Sequence, residues 1–121
     1  MKAIIAGGRN YTLTKKDISF LDSLEMDEVI VGGAKGADAD AKAWARSRHI
    51  RVRVFPADWE KHGRSAGPIR NGQMAAYLAK QQGDKAVILF PGGRGTANMR
   101  EQAGRAVLPI LDMDATEGGK T

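Results

Sequence analysis

The segment VILFPGGRGTAN, from Val87 to Asn98, contains the pattern that decides the fold. Its apolar half has the length of a buried strand, and its glycine-rich half leads into a helical pattern that begins at Thr96 or Ala97. The first amides of a helix have no acceptors within the helix, so a strand that ends in glycines and continues as a helix forms a site for phosphate or another anion. The segment therefore predicts a strand–loop–helix unit with an anion-binding loop.

Two earlier segments repeat the same strand–glycine–helix pattern. IIAGGRN covers residues 4–10, and VIVGGAKGAD covers residues 29–38. One loop of this kind is a weak signal. Three of them in a chain of 121 residues indicate a fold that is organised around a phosphate-bearing ligand.

The order of strand and helix patterns predicts an α/β fold. Strands are expected at five places, separated by helical patterns: residues 3–6, 28–31, 51–55, 86–90 and 107–111. Strands that alternate with helices form a parallel sheet with helices on both faces. Right-handed crossovers favour strand order 3-2-1-4-5, which is a three-layer Rossmann-like arrangement. In that order the three glycine loops meet at the carboxyl edge of the sheet, where ligands bind.

Length and composition predict one domain. The chain has 121 residues, of which 42% are hydrophobic and 27% are charged, as in ordinary globular domains. We expect the domain to cover residues 1–111 and residues 112–121 to form a flexible tail. The chain has no cysteine, no apolar run of membrane-spanning length and no signal-peptide pattern, so a cytoplasmic location is expected.

The net charge of +5 favours anionic ligands. Most arginines and lysines fit a solvated surface, but four lie in or beside the glycine loops or at a helix start: Arg9, Lys35, Arg70 and Arg94. Residues 56–67 are predicted to form the one long irregular stretch, and loops of this length are usually functional or mobile. Trp59 in this stretch could stack on a base or anchor the loop to the core.

Four motifs together resemble the SLOG superfamily of Rossmann-like nucleotide-binding domains: MKAIIAGGRN, VGGAKGADADAKAWA, FPADWEKHGRSAGPIRNGQMA and FPGGRGTANM. Within this superfamily the chain is most similar to the small single-domain branch that is related to bacterial YpsA-type proteins. The superfamily also contains the Lonely Guy phosphoribohydrolases and the DNA-processing protein A domain. The resemblance extends from Met1 to about Leu111.

The resemblance implies a pocket for a nucleotide derivative, such as ADP-ribose or another NAD-derived or cyclic nucleotide signal. Carried over by position, it implies these ligand-binding residues: Gly8 and Arg9 after the first strand, Gly32, Gly33, Gly36 and Asp38 in the second motif, Arg70 and Asn71 at the helix that caps the pocket, and Gly92, Gly93, Gly95 and Thr96 in the phosphate loop. Lys35 and Trp59 complete the set of predicted ligand-binding residues.

Some of these residues also fit a structural role. Asp38 could cap its helix or contact a ribose hydroxyl. At least one glycine of the second motif is expected to allow close packing of helix on strand. Arg70 could form a salt bridge with a neighbouring acid, and Asn71 could fix the preceding loop.

One position departs from the pattern of the enzymes in this superfamily. The Lonely Guy pattern has a glutamate three residues after the threonine of the phosphate loop, and here that position is Met99. Glu101 lies about 200° further around the helix, so it cannot replace that glutamate. Cleavage of a glycosidic bond normally needs a carboxylate, which leaves Asp38 and Asp58 as candidates if the protein is an enzyme. The sequence favours a sensor or sequestering module over a nucleotide phosphoribohydrolase.

The expected partner is a nucleotide-derived small molecule. We expect no required cofactor, no metal site, no membrane contact and no nucleic acid, since the chain lacks a compact basic stripe with interleaved aromatic residues. A homodimer or higher homo-oligomer is expected, because alanine-rich helices on a small sheet would expose apolar surface that a second copy could cover.

Overall fold

The computed structural model describes residues 1–113 and contains one five-stranded sheet. Its strands are β1 (Lys2–Ala6), β2 (Glu28–Val31), β3 (Arg51–Val54), β4 (Lys85–Leu89) and β5 (Ile110–Asp112). All neighbouring strands pair in parallel, in the order β3-β2-β1-β4-β5. The predicted Rossmann-like fold and its strand order are therefore confirmed.

Helices cover both faces of the sheet. Within residues 1–113 they are α1 (Lys15–Ser23), α2 (Ala37–Ser47), α3 (Trp59–His62), α4 (Ala66–Ala79) and α5 (Arg94–Arg105). Residues of α1 and α2 belong to one hydrophobic core, and residues of α4 and α5 belong to the other. In this part of the chain no helix is both long enough and apolar enough to span a bilayer.

The central strands are buried on both faces, and their side chains alternate between the two cores. Ile5 and Ile88 pack beneath α1 and α2, whereas Ile4 and Val87 pack beneath α4 and α5. Strands buried on both sides need a continuous run of apolar residues, which both of these strands have. β1 and β4 are adjacent, and the chain reverses its winding direction between them, so a crevice opens at their carboxyl ends.

The segment from residue 56 to 67 is more regular than its sequence predicts. It contains α3 and a 3-10 helix, Gly63–Ser65, which leads directly into α4. α3 forms because Asp58 Oδ1 accepts a hydrogen bond from the Lys61 amide at 3.1 Å and so caps the helix. The prediction of one long irregular stretch was wrong.

The start of the last helix and the bounds of the last strand also differ from the prediction. α5 begins at Arg94 rather than at Thr96 or Ala97. The last strand is Ile110–Asp112 rather than residues 107–111, because Val107 and Leu108 complete the C-terminal cap of α5. Asp112, the first residue of the predicted flexible tail, lies in β5, and residues 114–121 of that tail lie outside the described residues.

The cap of α5 places a valine in a strained conformation. The amides of Val107 and Leu108 donate to the carbonyls of Gly104 at 3.1 Å and Ala103 at 2.9 Å, which is the Schellman pattern. The cap holds Val107 at φ +56°, where a residue with a Cβ loses about 1–2 kcal/mol. Val107 is 89% exposed, so its side chain adds little packing in return.

Val107→Gly should therefore increase the free energy of unfolding by about 0.5–1 kcal/mol, because the relief of strain exceeds the added entropy of the unfolded chain. Urea unfolding is the measurement. Val107→Ala is the matched control, since it keeps a Cβ at the same φ and should gain less. A glycine variant that is less stable than the wild type would contradict this explanation of the cap.

Candidate functional site

The loops after β1, β2 and β4 pack backbone against backbone at the carboxyl edge of the sheet. Gly8 lies at their centre. Its amide donates to the Pro91 carbonyl at 2.8 Å, and its carbonyl accepts from the Ala37 amide at 3.1 Å. The loop after β1 is thus hydrogen-bonded both to the loop after β4 and to the start of α2.

Glycine is required at two of these contacts. A Cβ at Gly36 would overlap the carbonyl oxygens of Gly8 and Arg9, and φ at Gly36 is +72°, which disfavours other residues. A Cβ at Gly92 would overlap the side chain of Thr96 and the amide of Gly8. Gly36 and Gly92 therefore serve the packing of the loops, and neither of them lines the cavity described next.

A cavity of about 610 Å³ lies beside the joined loops, which is a typical size for a small-molecule site. Nine of the predicted ligand-binding residues line it: Gly8, Arg9, Asp38, Trp59, Arg70, Asn71, Gly93, Gly95 and Thr96. The remaining five do not: Gly32, Gly33, Lys35, Gly36 and Gly92. The structure thus brings together residues from all four predicted motifs, although Asp38 is the one predicted ligand-binding residue of the second motif that lines the cavity.

The charged residues of the cavity are four arginines and one aspartate: Arg9, Arg64, Arg70, Arg94 and Asp38. Within residues 1–113, Arg9, Arg64 and Arg94 have neither a hydrogen-bond acceptor nor an acidic partner for their side chains. The side of the cavity that they line is therefore cationic and attracts anions.

Arg64 was not predicted as a ligand-binding residue, and neither were Asn10 and Asn98, which also line the cavity. Arg64 lies in the 3-10 helix before α4 and inside the third quoted motif, of which only Trp59, Arg70 and Asn71 were predicted to bind the ligand. Asn10 directly follows the predicted residue Arg9, and Asn98 follows Thr96 by two residues; both lie inside quoted motifs, which could have identified them.

The first turn of α5 is an open helix start at the cavity. Its N-cap is Gly93, no side chain caps it, and its first turn contains no acid. In contrast, the first turn of α2 contains Asp38 and Asp40. The first turn of α4 contains Pro68 and continues from the 3-10 helix, so its amides are less available. An anion in the cavity can therefore bind to the free amides at the start of α5, where the positive end of the helix dipole also lies.

Asp38 holds the loop after β2. Its Oδ2 accepts hydrogen bonds from the amides of Gly32 at 3.2 Å and Ala34 at 3.4 Å. Asp38 is only 6% exposed, and this burial raises the pKa of its carboxyl above the ordinary 3.8, while the two amides and the charge of Arg70 act in the opposite direction. Asp38 does not cap α2, because that helix has no side-chain cap.

Arg70 and Asn71 connect the loop after β2 with the first turn of α5. Arg70 Nη1 donates to the Gly32 carbonyl and, at 3.4 Å, to the Phe55 carbonyl, and Nε donates to Asn71 Oδ1 at 2.9 Å. Asn71 Nδ2 then donates to the Gly95 carbonyl at 3.3 Å. Burial lowers the pKa of Arg70, and nearby Asp38 opposes this shift. The acceptors of Arg70 are carbonyl and amide oxygens, not a carboxylate.

Trp59 presents an aromatic surface to the cavity. It is 54% exposed and belongs to neither hydrophobic core, so it does not anchor its segment in the interior. Lys35 is also exposed but does not line the cavity.

The other carboxylates considered for catalysis lie away from the cavity. Asp58 caps α3 and does not line the cavity. Met99, on α5, is fully buried in the core formed with α4 and contributes to the cavity wall, whereas Glu101 is exposed and lies 3.7 Å from Arg105. Among residues 1–113, Asp38 is therefore the one carboxylate that reaches the cavity.

The chain is similar to a known protein family and to a phage protein. Residues 1–62 match the family described as YAcAr, the YspA, cpYpsA-related SLOG family. The chain is also 35% identical over 91 residues to the "Gene 61 protein" of Mycobacterium phage D29, in an alignment that covers 69% of each protein. The region that matches the family includes the first two glycine loops, and the name of the phage protein states no activity.

The contact at Gly36 can be tested by substitution. Gly36→Ala should lower the free energy of unfolding by about 2–4 kcal/mol, because the variant adds both a strained φ and an overlap with two carbonyls. Gly95→Ala is the matched control: it lies in the first turn of α5, and a Cβ there meets no atom within 4 Å. Chemical denaturation should show little loss for Gly95→Ala. Equal stability of the two variants would mean that the loops do not depend on this contact.

Proposed function

The chain belongs to the YspA, cpYpsA-related SLOG family, and from this membership and the cavity we propose that it binds a small phosphorylated nucleoside derivative. The ligand that we infer is similar to ADP-ribose or to another NAD-derived or cyclic nucleotide signal. The observation that carries the proposal is the cationic cavity at the carboxyl edge of the sheet, where the open start of α5 lies among four arginines.

The phosphate would bind at the first turn of α5. The amides of Arg94, Gly95 and Thr96 lack acceptors within the helix by the geometry of an α-helix, and the dipole adds partial positive charge at the same place. Arg9 approaches from the neighbouring loop after β1 and can add a charge-assisted hydrogen bond. A phosphate satisfies both kinds of donor at once.

The base would stack on Trp59. An exposed tryptophan beside a cationic cavity offers a large flat surface for an aromatic ring. Burial of a base against this surface would explain why so large an aromatic side chain is left half exposed at the site. Phosphate and base contacts together support a nucleotide rather than a simple anion.

Binding without cleavage is the role that the residues support best. The position of the enzymes' glutamate is the buried Met99, and Asp38 already accepts two backbone amides. We infer a sensor or a module that sequesters the ligand.

A nucleotide N-glycoside hydrolase is the second candidate, and one observation favours it. Asp38 lines the cavity, and burial raises its pKa, which is the direction that favours a carboxyl group as a proton donor. Incubation of the protein with ADP-ribose or AMP, followed by denaturation and mass spectrometry, separates the two roles. Intact ligand supports binding alone, whereas free base that is no longer released by Asp38→Asn supports the hydrolase.

Binding can be followed through the fluorescence of Trp59. The chain has two tryptophans, so Trp44→Phe leaves Trp59 as the one reporter. Titration of this variant with ADP-ribose should quench its emission as the base stacks on the ring. Wild-type protein that binds neither ADP-ribose nor AMP in calorimetry at millimolar concentrations would contradict the proposal.

The contribution of Arg9 is tested by Arg9→Ala. We expect about 10- to 100-fold weaker binding of ADP-ribose, because the loss of a charge-assisted hydrogen bond costs about 1.5–3 kcal/mol. Arg46→Ala is the matched control: Arg46 is exposed on α2 and does not line the cavity, so affinity should be unchanged. Equal affinity of both variants would show that the ligand binds elsewhere.

A further inference from the structure

We propose that the cavity selects ligands with two adjacent phosphate groups, that is, nucleoside diphosphates or nucleotides that contain a diphosphate bridge, and that Arg70 binds the second phosphate. This inference rests on the proposed function and names the ligand class for the same site. Its basis is the way in which the Arg70 guanidinium is held.

The protein fixes two of the three guanidinium nitrogens of Arg70. Nη1 donates to the carbonyls of Gly32 and Phe55, and Nε donates to Asn71 Oδ1 at 2.9 Å. These acceptors lie at the ends of β2 and β3 and in α4. A planar group with two fixed nitrogens has its third nitrogen fixed as well.

The third nitrogen, Nη2, is left for a ligand. Within residues 1–113 it has no hydrogen-bond acceptor, and no buried side-chain nitrogen or oxygen in this region lacks a partner. Nη2 is therefore exposed to solvent, and Arg70 lines the cavity. A charged donor that is already oriented loses little entropy when it binds an oxyanion.

Asn71 fixes the spacing between this donor and the first anion site. The same side-chain amide accepts from Arg70 Nε through Oδ1 and donates through Nδ2 to the Gly95 carbonyl at 3.3 Å and to Asn98 Oδ1 at 3.0 Å. One buried amide group thus separates the guanidinium from the first turn of α5. Because a single side-chain amide bridges the two groups, the proposal places the two phosphates next to each other rather than at opposite ends of a nucleoside.

The other arginines of the cavity differ from Arg70 in this respect. Arg9, Arg64 and Arg94 are exposed, and no hydrogen bond within residues 1–113 holds their guanidinium groups. They add positive charge without a fixed direction. Selection by spacing needs a donor in a fixed position, and Arg70 is the arginine of the cavity that has one.

Calorimetry with four probes tests the proposal: adenosine, AMP, ADP and adenosine 3′,5′-bisphosphate. In the wild type we expect ADP to bind about tenfold or more tightly than AMP, since it gains a charge-assisted hydrogen bond. The bisphosphate has two phosphates that are not adjacent, so it should bind about as AMP does. ADP and bisphosphate of equal affinity would overturn the proposal, because total charge alone would then explain binding.

Three variants assign the second phosphate. Arg70→Lys keeps the positive charge but loses the fixed guanidinium, so the preference for ADP over AMP should fall below about threefold while AMP still binds more tightly than adenosine. Arg46→Lys, outside the cavity, should keep the full preference. A preference that survives Arg70→Lys and disappears in Arg64→Lys would overturn the assignment to Arg70.

The wild-type measurements separate this inference from the proposed function. If the wild type binds none of the four probes, the proposed function fails. If it binds AMP and ADP equally, a nucleotide site exists but the selection of diphosphates is wrong. Because these outcomes need no variant, the proposal is tested even if Arg70→Lys does not fold.

Discussion

The close approach of three loop backbones around Gly8 is the constraint on which the rest of the site depends. The loop after β1 can donate to Pro91 and accept from Ala37 only because Gly36 and Gly92 have no side chains at the points of contact. This approach fixes the starts of α2 and α5 relative to each other. The cavity and the direction of the α5 amides follow from it.

Around these loops the polar side chains divide into two groups with different roles. Asp38, Arg70 and Asn71 are largely buried, and their hydrogen bonds join the loop after β2 to the first turn of α5. These hydrogen bonds stabilise the folded protein, because a buried polar group without a partner destabilises it by about 1–3 kcal/mol. Arg9 and Arg94 remain exposed and unpaired within residues 1–113, so their charge is available to a ligand. The first group shapes the cavity and holds Arg70, the donor proposed for the second phosphate, in a fixed position, whereas the exposed arginines add charge without a fixed direction.

The sequence predicts the sheet well because strand length, apolar runs and crossover handedness leave few alternatives. It predicts the site less completely, for physical reasons. A glycine pattern does not distinguish Gly36, which allows two loops to touch, from Gly95, which lines the cavity. Arg64 lines the cavity although it lies in the 3-10 helix between α3 and α4, outside the glycine loops on which the prediction relied. Val107 ends α5 in a left-handed conformation that nothing in a valine predicts.

A map of backbone amide shifts during titration with ADP-ribose tests the central claim most directly. In nuclear magnetic resonance spectra of the 15N-labelled protein, we expect the largest changes at Gly8, at Arg94–Thr96 and at the indole N–H of Trp59. The amino edge of the sheet, where Glu28 accepts a hydrogen bond from Tyr77, should change little. Changes centred on that edge, or spread evenly over the surface, would contradict a nucleotide site at the start of α5.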